Sequence, residues 1–132
     1  MKPADDEMPR TVVDPTTARP ILMAPLRQKR PMHTGAQPSS HACPFCQGQE
    51  AETPPEVAAQ RDPGTAPNQP GWTARAFPNK YPANAHHEVI AEGRLHHEQP
   101  GDLDLACWRD CLRLWQHRVA ALEAIPGIAC TY

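Results

Sequence analysis

The sequence is poor in aromatic residues, in net charge and in long apolar runs. Only 5% of the 132 residues are aromatic, and the 17 prolines favour turns and extended connections over packed elements. The formal net charge of −2 gives no electrostatic reason to expect nucleic acid or an anionic membrane as a partner. No apolar run approaches the length that crosses a bilayer. The chain is therefore expected to form one small domain, or part of a larger one, with a modest core.

The N-terminus and the cysteines favour a cytoplasmic location. Residues 1–6 carry acidic side chains where a signal peptide has an apolar segment. Five cysteines are an odd number, so free thiols in a reducing compartment are the simpler reading. Residues 1–10 are polar and contain proline, which predicts a flexible tail before a domain at 11–132.

The most informative stretch is Cys43-Pro44-Phe45-Cys46, where two thiols are spaced so that a tight turn can direct both at one ion. Zinc takes thiolate and imidazole ligands almost always in fours, so two further ligands are needed. His96, beyond a predicted strand, is the favoured third ligand. A thioredoxin-like redox dithiol is the alternative, but the βαβ pattern that accompanies it is absent, because loop-forming residues follow Cys46. Metal binding is the favoured interpretation.

Short apolar runs predict strands at 11–13, 21–24, 72–77 and 88–91, and a further strand starting near Ile128. Residues 47–71 are crowded with Pro, Gly, Gln, Asn and Thr, which predicts a long loop. A helix is expected from about Leu103 to Ala124, with Asp102 as its N-cap and Pro126-Gly127 as its stop.

The predicted helix has one apolar stripe and one polar face. Its stripe consists of Trp108, Cys111, Leu112, Trp115, Val119 and Leu122. Its outward residues are Arg109, Asp110, Arg113, Gln116 and Arg118. Cys107 and Cys111 lie one turn apart and could bind metal together, but packing is favoured because free cysteine is usually buried.

The densest basic cluster lies between Leu26 and Pro31 and contains Arg27, Lys29 and Arg30. A solvated charged loop is one interpretation, since charge runs usually keep a surface wet. The other is an anion clamp, in which two guanidinium groups fork onto phosphate oxygens.

Five motifs in order resemble the N-terminal part of the galactose-1-phosphate uridylyltransferases, a family of the histidine-triad-like superfamily. Nearly the whole chain, from about residue 10 to 132, takes part in the resemblance. The motifs are Arg27-x-x-Arg30-Pro31, Cys43-Pro44-Phe45-Cys46, Thr53-Pro54-Pro55-Glu56, Phe77-Pro78-Asn79-Lys80-Tyr81-Pro82-Ala83, and His87-Glu88-Val89-Ile90 followed by His96.

The resemblance implies an α+β fold, namely an incomplete histidine-triad-like half-barrel of short antiparallel strands with one long C-terminal helix and a zinc knuckle. It implies that Cys43, Cys46 and His96 bind a structural zinc ion, which agrees with the ligand count. It also implies that Arg27 and Arg30 contact the diphosphate of UDP-glucose.

The segment that would hold the uridine contains Phe77, Asn79, Lys80 and Tyr81. An aromatic wall there would stack on the base and an amide would read its polar edge. The family's reaction, part of galactose metabolism, passes the nucleotide from UDP-glucose through a uridylyl-histidine to a hexose 1-phosphate. A related nucleotide-sugar or dinucleoside phosphorylase of the same superfamily is an alternative, because the choice of base is not readable from these residues.

The sequence departs from the family at two places. The nucleophile and the expected fourth zinc ligand lie in a His-Pro-His segment that this sequence does not contain, so no catalytic residue is assigned and the domain is expected to be truncated before it. The catalytic role is not assigned to His86, His87 or His97. Water, His97 or His41 would complete the zinc site. Ala18-Arg19-Pro20 stands where the family usually has Gly and Trp.

Two functional hypotheses follow. The chain is either part of a uridylyltransferase that is inactive alone, or a non-catalytic zinc module that binds a nucleotide or a protein. An unpaired strand near Cys130 would recruit another chain, so a homodimer or a complementing C-terminal chain is expected.

Overall fold

The computed structural model describes residues 7–31, 43–96 and 100–131. The chain divides into two compact units. One comprises Met1–Pro38 and Asn79–His87, and the other comprises Ser39–Pro78 and Glu88–Tyr132. Within the described ranges, no helix combines the length and apolarity that a membrane span requires.

The first unit contains a two-stranded antiparallel sheet. Strand β1 (Arg10–Val13) pairs with strand β2 (Pro20–Met23). The connecting turn forms around Asp14, whose carboxylate accepts hydrogen bonds from the Thr16 N–H and from the hydroxyls of Thr16 and Thr17. These bonds lower the pKa of Asp14 to about 2. The two predicted strands are confirmed, and a 3-10 helix at Pro25–Lys29 follows.

The second unit contains a three-stranded antiparallel sheet with β4 (Trp72–Pro78) at its centre. Strand β3 (Ala58–Arg61) lies on one side and β5 (Glu88–Ala91) on the other. Strands β4 and β5 match the prediction, but β3 falls inside the stretch expected to be loop. Its sequence Ala-Ala-Gln-Arg has no β-branched residue, so it becomes a strand through pairing with β4 and not through its own propensity.

Helix α1 (Leu105–Glu123) packs against β3 and β4. Ala74 and Ala76 of β4 form a buried cluster with Cys111 and Leu114, and their small side chains leave room for the helix. The N-cap is Asp104, whose carboxylate accepts from the Cys107 N–H at 2.7 Å, so the prediction of Asp102 as the cap was wrong.

The buried stripe of α1 is rotated from the predicted one. Leu112 and Trp115 are 56% and 50% exposed, whereas Leu114, which was not predicted, is buried. Leu112 and Trp115 each follow a buried residue by one position and are therefore turned about 100° away from the core. The inward positions of the predicted stripe are Trp108, Cys111, Val119 and Leu122.

Two charged residues that were expected to face solvent instead bond to the sheet. Asp110 accepts a hydrogen bond from the Thr73 hydroxyl at 2.9 Å. Arg118 donates two hydrogen bonds to the Glu88 carboxylate, at 2.8 and 2.7 Å. Polar residues therefore occupy part of the helix surface that packs on the sheet, because each has a hydrogen-bond partner on the sheet.

The strand expected near Ile128 does not form among the described residues. Residues 128–131 have no regular structure, and the Thr131 N–H donates to Glu123 at 3.2 Å. An extended run alone does not make a strand, since a strand needs a neighbouring chain segment to accept its hydrogen bonds.

The guanidinium of Arg75, in the middle of β4, is buried at 2% exposure. It bonds to the Glu56 carboxylate at 3.1 Å, and Glu56 also pairs with Arg61. Its other acceptors are the Thr53 hydroxyl, the Pro54 carbonyl and the Asn68 side chain. Burial disfavours the charged form of Glu56, but the hydrogen bonds from Arg61 and Arg75 outweigh it and lower the pKa of the Glu56 carboxyl.

We expect Glu56→Gln to destabilise the second unit by about 3 kcal/mol, because it leaves the Arg75 charge buried without a carboxylate. Urea unfolding followed by tryptophan fluorescence measures this change, since all three tryptophans, including buried Trp72, lie in the second unit. Arg109→Ala is the control, since its ion pair with Asp110 is exposed at the arginine and its loss should cost about 1 kcal/mol or less. Equal effects of the two substitutions would contradict the prediction.

Candidate functional site

The structure brings together the three residues that the sequence predicts as metal ligands. The ligand atoms of Cys43, Cys46 and His96 all lie within 4.8 Å of one another. The Cys46 Sγ is 3.7 Å from the His96 Nδ1. Both cysteines are half-buried and His96 is exposed, so the group lies at the protein surface and can hold a metal ion.

Backbone hydrogen bonds shape the cysteine turn. The Cys46 N–H donates to the Cys43 carbonyl at 3.1 Å, and the Gln49 N–H donates to the Cys46 carbonyl at 3.1 Å. Gly48 follows with φ 93°, a left-handed conformation that glycine adopts without steric cost. The Gly48 N–H in turn donates to the carboxylate of Glu50, which also accepts from the indole of Trp72 at 2.7 Å.

A second set of bonds places His96 beside this turn. The Gln47 N–H donates to the Arg94 carbonyl at 3.0 Å, which joins the turn to the segment that carries His96. The Arg94 guanidinium donates to both carboxylate oxygens of Asp62, at 2.7 and 2.6 Å. Hydrogen bonds therefore hold the cysteine turn next to the segment that carries His96, so their proximity does not depend on a metal ion alone.

The donor set suits a soft or borderline metal ion. Two sulfurs and one imidazole nitrogen are ligands that zinc accepts, whereas calcium and magnesium require oxygen. Burial, and then the charge of Cys43, raise the pKa of the Cys46 thiol, so this thiol is protonated at neutral pH unless a cation is bound. His41 and His97, proposed to complete the site, lie outside the described residues.

Cys107 and Cys111 are packed as the sequence analysis favoured. Cys111 is 1% exposed in the core, where burial raises its pKa to about 12. The Cys107 thiol donates to the Glu92 carbonyl at 3.3 Å. Neither belongs to the group of metal-ligand residues found in the described part of the chain.

Most of the predicted substrate-binding residues lie in the first unit. The Arg27 guanidinium donates to the Tyr81 carbonyl at 3.5 Å, and the Tyr81 N–H donates to Asn79 Oδ1 at 2.8 Å. Arg30 and Lys80 are exposed. Arg27, Asn79 and Tyr81 are therefore joined through hydrogen bonds, and their role in binding a substrate stays a prediction.

Phe77 lies in the second unit and is 2% exposed. Its ring stacks on Phe45 with centroids 6.1 Å apart, and the Arg75 guanidinium lies 4.8 Å from its centroid. Phe45 is 47% exposed. Phe45 therefore presents the accessible ring of the pair, a role that the spacing of the cysteines did not indicate.

His87 holds the segment between β4 and β5, a role that the sequence analysis did not assign. Its carbonyl accepts from the Asn79 N–H at 2.8 Å, and its Nδ1 accepts from the Ala83 N–H at 2.9 Å. Burial, and then the charges of Arg27 and Arg30, hold the pKa of the His87 imidazole below its usual value. The only feature of the sequence that pointed to His87 was its position in the motif His87-Glu88-Val89-Ile90.

No family model matches the chain. It is 27% identical over 143 residues to the ADP-glucose phosphorylase of Arabidopsis thaliana, covering 87% of this chain and 39% of the relative. A crystal structure of an ADP-glucose phosphorylase from Arabidopsis thaliana with bound ADP-glucose matches with a TM-score of 0.54 and 30% identity. That match covers 91% of this chain and 40% of the other.

The chain thus spans about two fifths of the length of the relatives it matches. The predicted α+β architecture, with short antiparallel strands and one long helix, is confirmed by the structural match. Both of these matches are to ADP-glucose phosphorylases. Sequence and fold together support the histidine-triad-like superfamily for this chain, without assigning it to the uridylyltransferase family.

Proposed function

We propose that residues 11–132 form a zinc-containing, nucleotide-binding domain of an enzyme that acts on a nucleoside-diphosphate sugar. The similarity to ADP-glucose phosphorylase in both sequence and fold carries this proposal. It favours ADP-glucose over UDP-glucose as the ligand, and a reaction that exchanges the nucleotide between sugar phosphates or inorganic phosphate. Free thiols are compatible with a reducing, cytoplasmic setting.

The first unit supplies the groups for the phosphates. Arg27 and Arg30 lie on and directly after the 3-10 helix Pro25–Lys29, and their positive charges act on the same imidazole, His87. Guanidinium groups bind phosphate oxygens in a forked geometry and cannot lose their charge near neutral pH. This supports the anion-clamp interpretation over a merely solvated loop.

The nucleoside would be held by aromatic and polar groups. Within the second unit, Phe77 stays the residue predicted to stack on a base, and its ring stacks on the accessible ring of Phe45. Asn79, Lys80 and Tyr81 remain the proposed polar contacts of the nucleotide. An aromatic surface accepts adenine as well as uracil, so it does not by itself select the base.

We assign a structural role to the metal. Zinc bound by Cys43, Cys46 and His96 would cross-link the turn that bears Phe45 to the segment after β5. Two thiolates and an imidazole from remote parts of the chain are typical of structural zinc, whose binding energy adds to folding.

Uridylyl transfer between UDP-glucose and hexose 1-phosphate is the second candidate function, because the five motifs occur in that family's order. Both candidates pass through nucleotide binding at the same residues. A non-catalytic module that binds the nucleotide alone is the third, since the 132 residues contain no His-Pro-His segment.

Substitution of a zinc ligand should reduce metal content. Cys43→Ser is expected to lower bound zinc from about one ion per chain to well under half, measured by elemental analysis after dialysis. Cys130→Ser removes an exposed cysteine outside the group and should leave the zinc content unchanged. Equal zinc in Cys43→Ser and the unaltered protein would refute the site.

Nucleotide binding should depend on the basic cluster. Isothermal titration calorimetry should show tighter binding of ADP-glucose than of UDP-glucose. Arg27→Ala should weaken ADP-glucose binding about tenfold or more, because a charge-assisted hydrogen bond is lost. Arg109→Ala, an exposed arginine of α1, is the matched control. If Arg27→Ala binds as tightly as the control, the clamp assignment is wrong.

The isolated chain should form no covalent nucleotidyl intermediate, because it contains no His-Pro-His segment. Incubation with ADP-glucose or UDP-glucose radiolabelled at the α-phosphate, followed by denaturing electrophoresis, tests this. A labelled chain that loses the label on substitution of one of its own histidines would contradict the prediction and establish an independent enzyme.

A further inference from the structure

His87 and Asn79 present a pair of hydrogen-bond donors whose purpose the fold alone does not explain. His87 Nδ1 accepts a hydrogen bond from the Ala83 N–H at 2.9 Å. A ring nitrogen that accepts a bond carries no proton, so the imidazole is neutral and its proton is on Nε2. The hydrogen bond from a backbone amide therefore determines the tautomer of His87.

The amide of Asn79 is oriented in the same way. Its Oδ1 accepts from the Tyr81 N–H at 2.8 Å, which leaves the Nδ2 hydrogens as donors. Nδ2 lies 3.2 Å from the His87 Nε2. Two nitrogens that both carry donor hydrogens thus lie in contact, and two donors cannot form a hydrogen bond with one another.

Neither group can be turned to remove the conflict. Rotating the Asn79 amide by half a turn would point its NH2 at the Tyr81 N–H. Flipping the His87 ring would place a carbon where Nδ1 now accepts from Ala83. Each flip loses a hydrogen bond, so the backbone holds both donors in this orientation.

A single oxygen atom that accepts from both N–H groups satisfies the pair, and the surrounding charge indicates what kind of oxygen it is. Arg27 donates to the Tyr81 carbonyl in the same segment, and Arg27 and Arg30 are close enough to act on His87 electrostatically. Two cations favour an anionic acceptor over a hydroxyl or a neutral carbonyl. His87 and Asn79 are both half-buried, so neither side chain is fully enclosed by the described residues.

We propose that His87 is a ligand-binding residue whose Nε2–H, together with the Asn79 amide, donates to one phosphate oxygen of the bound nucleotide sugar. This inference rests on the proposed nucleotide-binding function and adds a residue and a specific atom to it. A neutral donor beside two guanidinium groups locates one oxygen in space, whereas the guanidinium groups supply the charge.

Nuclear magnetic resonance of the full chain, with nitrogen-15-labelled histidine, tests the geometry without a substitution. Two-bond proton–nitrogen correlations should show His87 with Nε2 protonated and Nδ1 bare. Titration with inorganic pyrophosphate, and separately with ADP-glucose, should shift the Nε2 resonance while that of His117, on α1, stays in place.

The outcomes distinguish failure of the His87 contact from failure of the proposed nucleotide-binding function. A shift with both ligands supports the proposal. Binding of ADP-glucose without a shift at His87 overturns it. A shift with pyrophosphate but no binding of ADP-glucose keeps the phosphate contact and refutes the proposed function. Binding of neither ligand refutes both.

Affinity measurements give a second readout. His87→Leu should weaken binding of pyrophosphate and ADP-glucose about tenfold, the effect of losing one hydrogen bond to a charged group. His87→Gln, which keeps an N–H donor, should recover most of this loss. Adenosine, which has no phosphate, should bind both variants as it binds the unaltered protein. Equal losses for adenosine and ADP-glucose would show that His87 acts only on the structure of the segment.

Discussion

A buried ion pair inside the larger unit is the constraint on which its other features depend. Arg75 is placed at the centre of the three-stranded sheet, where an unpaired charge would cost several kcal/mol, roughly the net stability of a small domain. Glu56 therefore has to lie against β4, and the loop that carries it has to fold back. The same guanidinium lies 4.8 Å from the ring centroid of Phe77, which stacks on Phe45 between Cys43 and Cys46.

Contacts of this kind matter in a small, proline-rich protein with few aromatic residues. The core clusters consist largely of alanine with single Trp, Phe, Cys and Leu side chains, so burial of apolar surface contributes modestly. Ion pairs such as Arg118–Glu88 and a site for a metal cross-link add to it. The Cys43–Cys46 turn can thus be held at a fixed position by a fold that hydrophobic packing alone would hold weakly.

The smaller unit uses hydrogen bonds in a different way. Its segment at residues 79–87 is organised by backbone amides that orient the side chains of Asn79 and His87, so that their donors converge. Arg27 is tied to the same segment through the Tyr81 carbonyl. Oriented neutral donors beside cations suit the recognition of phosphate, which is the chemical feature common to ADP-glucose and UDP-glucose.

The sequence by itself determined the element types, four of the strands, the long helix and the identity of the three metal-ligand residues. These features follow from local patterns, namely alternation, helical periodicity, stop signals and the spacing of Cys43 and Cys46. Tertiary structure decided the rest. Strand β3 forms because β4 provides the hydrogen-bonding partner. Helix α1 buries Leu114 and not Trp115 because Leu114 is the side chain that packs against the alanines of β4. Likewise, the ring contact of Phe77 comes from Phe45, which is distant in sequence. The tautomer of His87 is defined because the segment folds back and brings the Ala83 N–H onto Nδ1, which the residue types alone did not indicate.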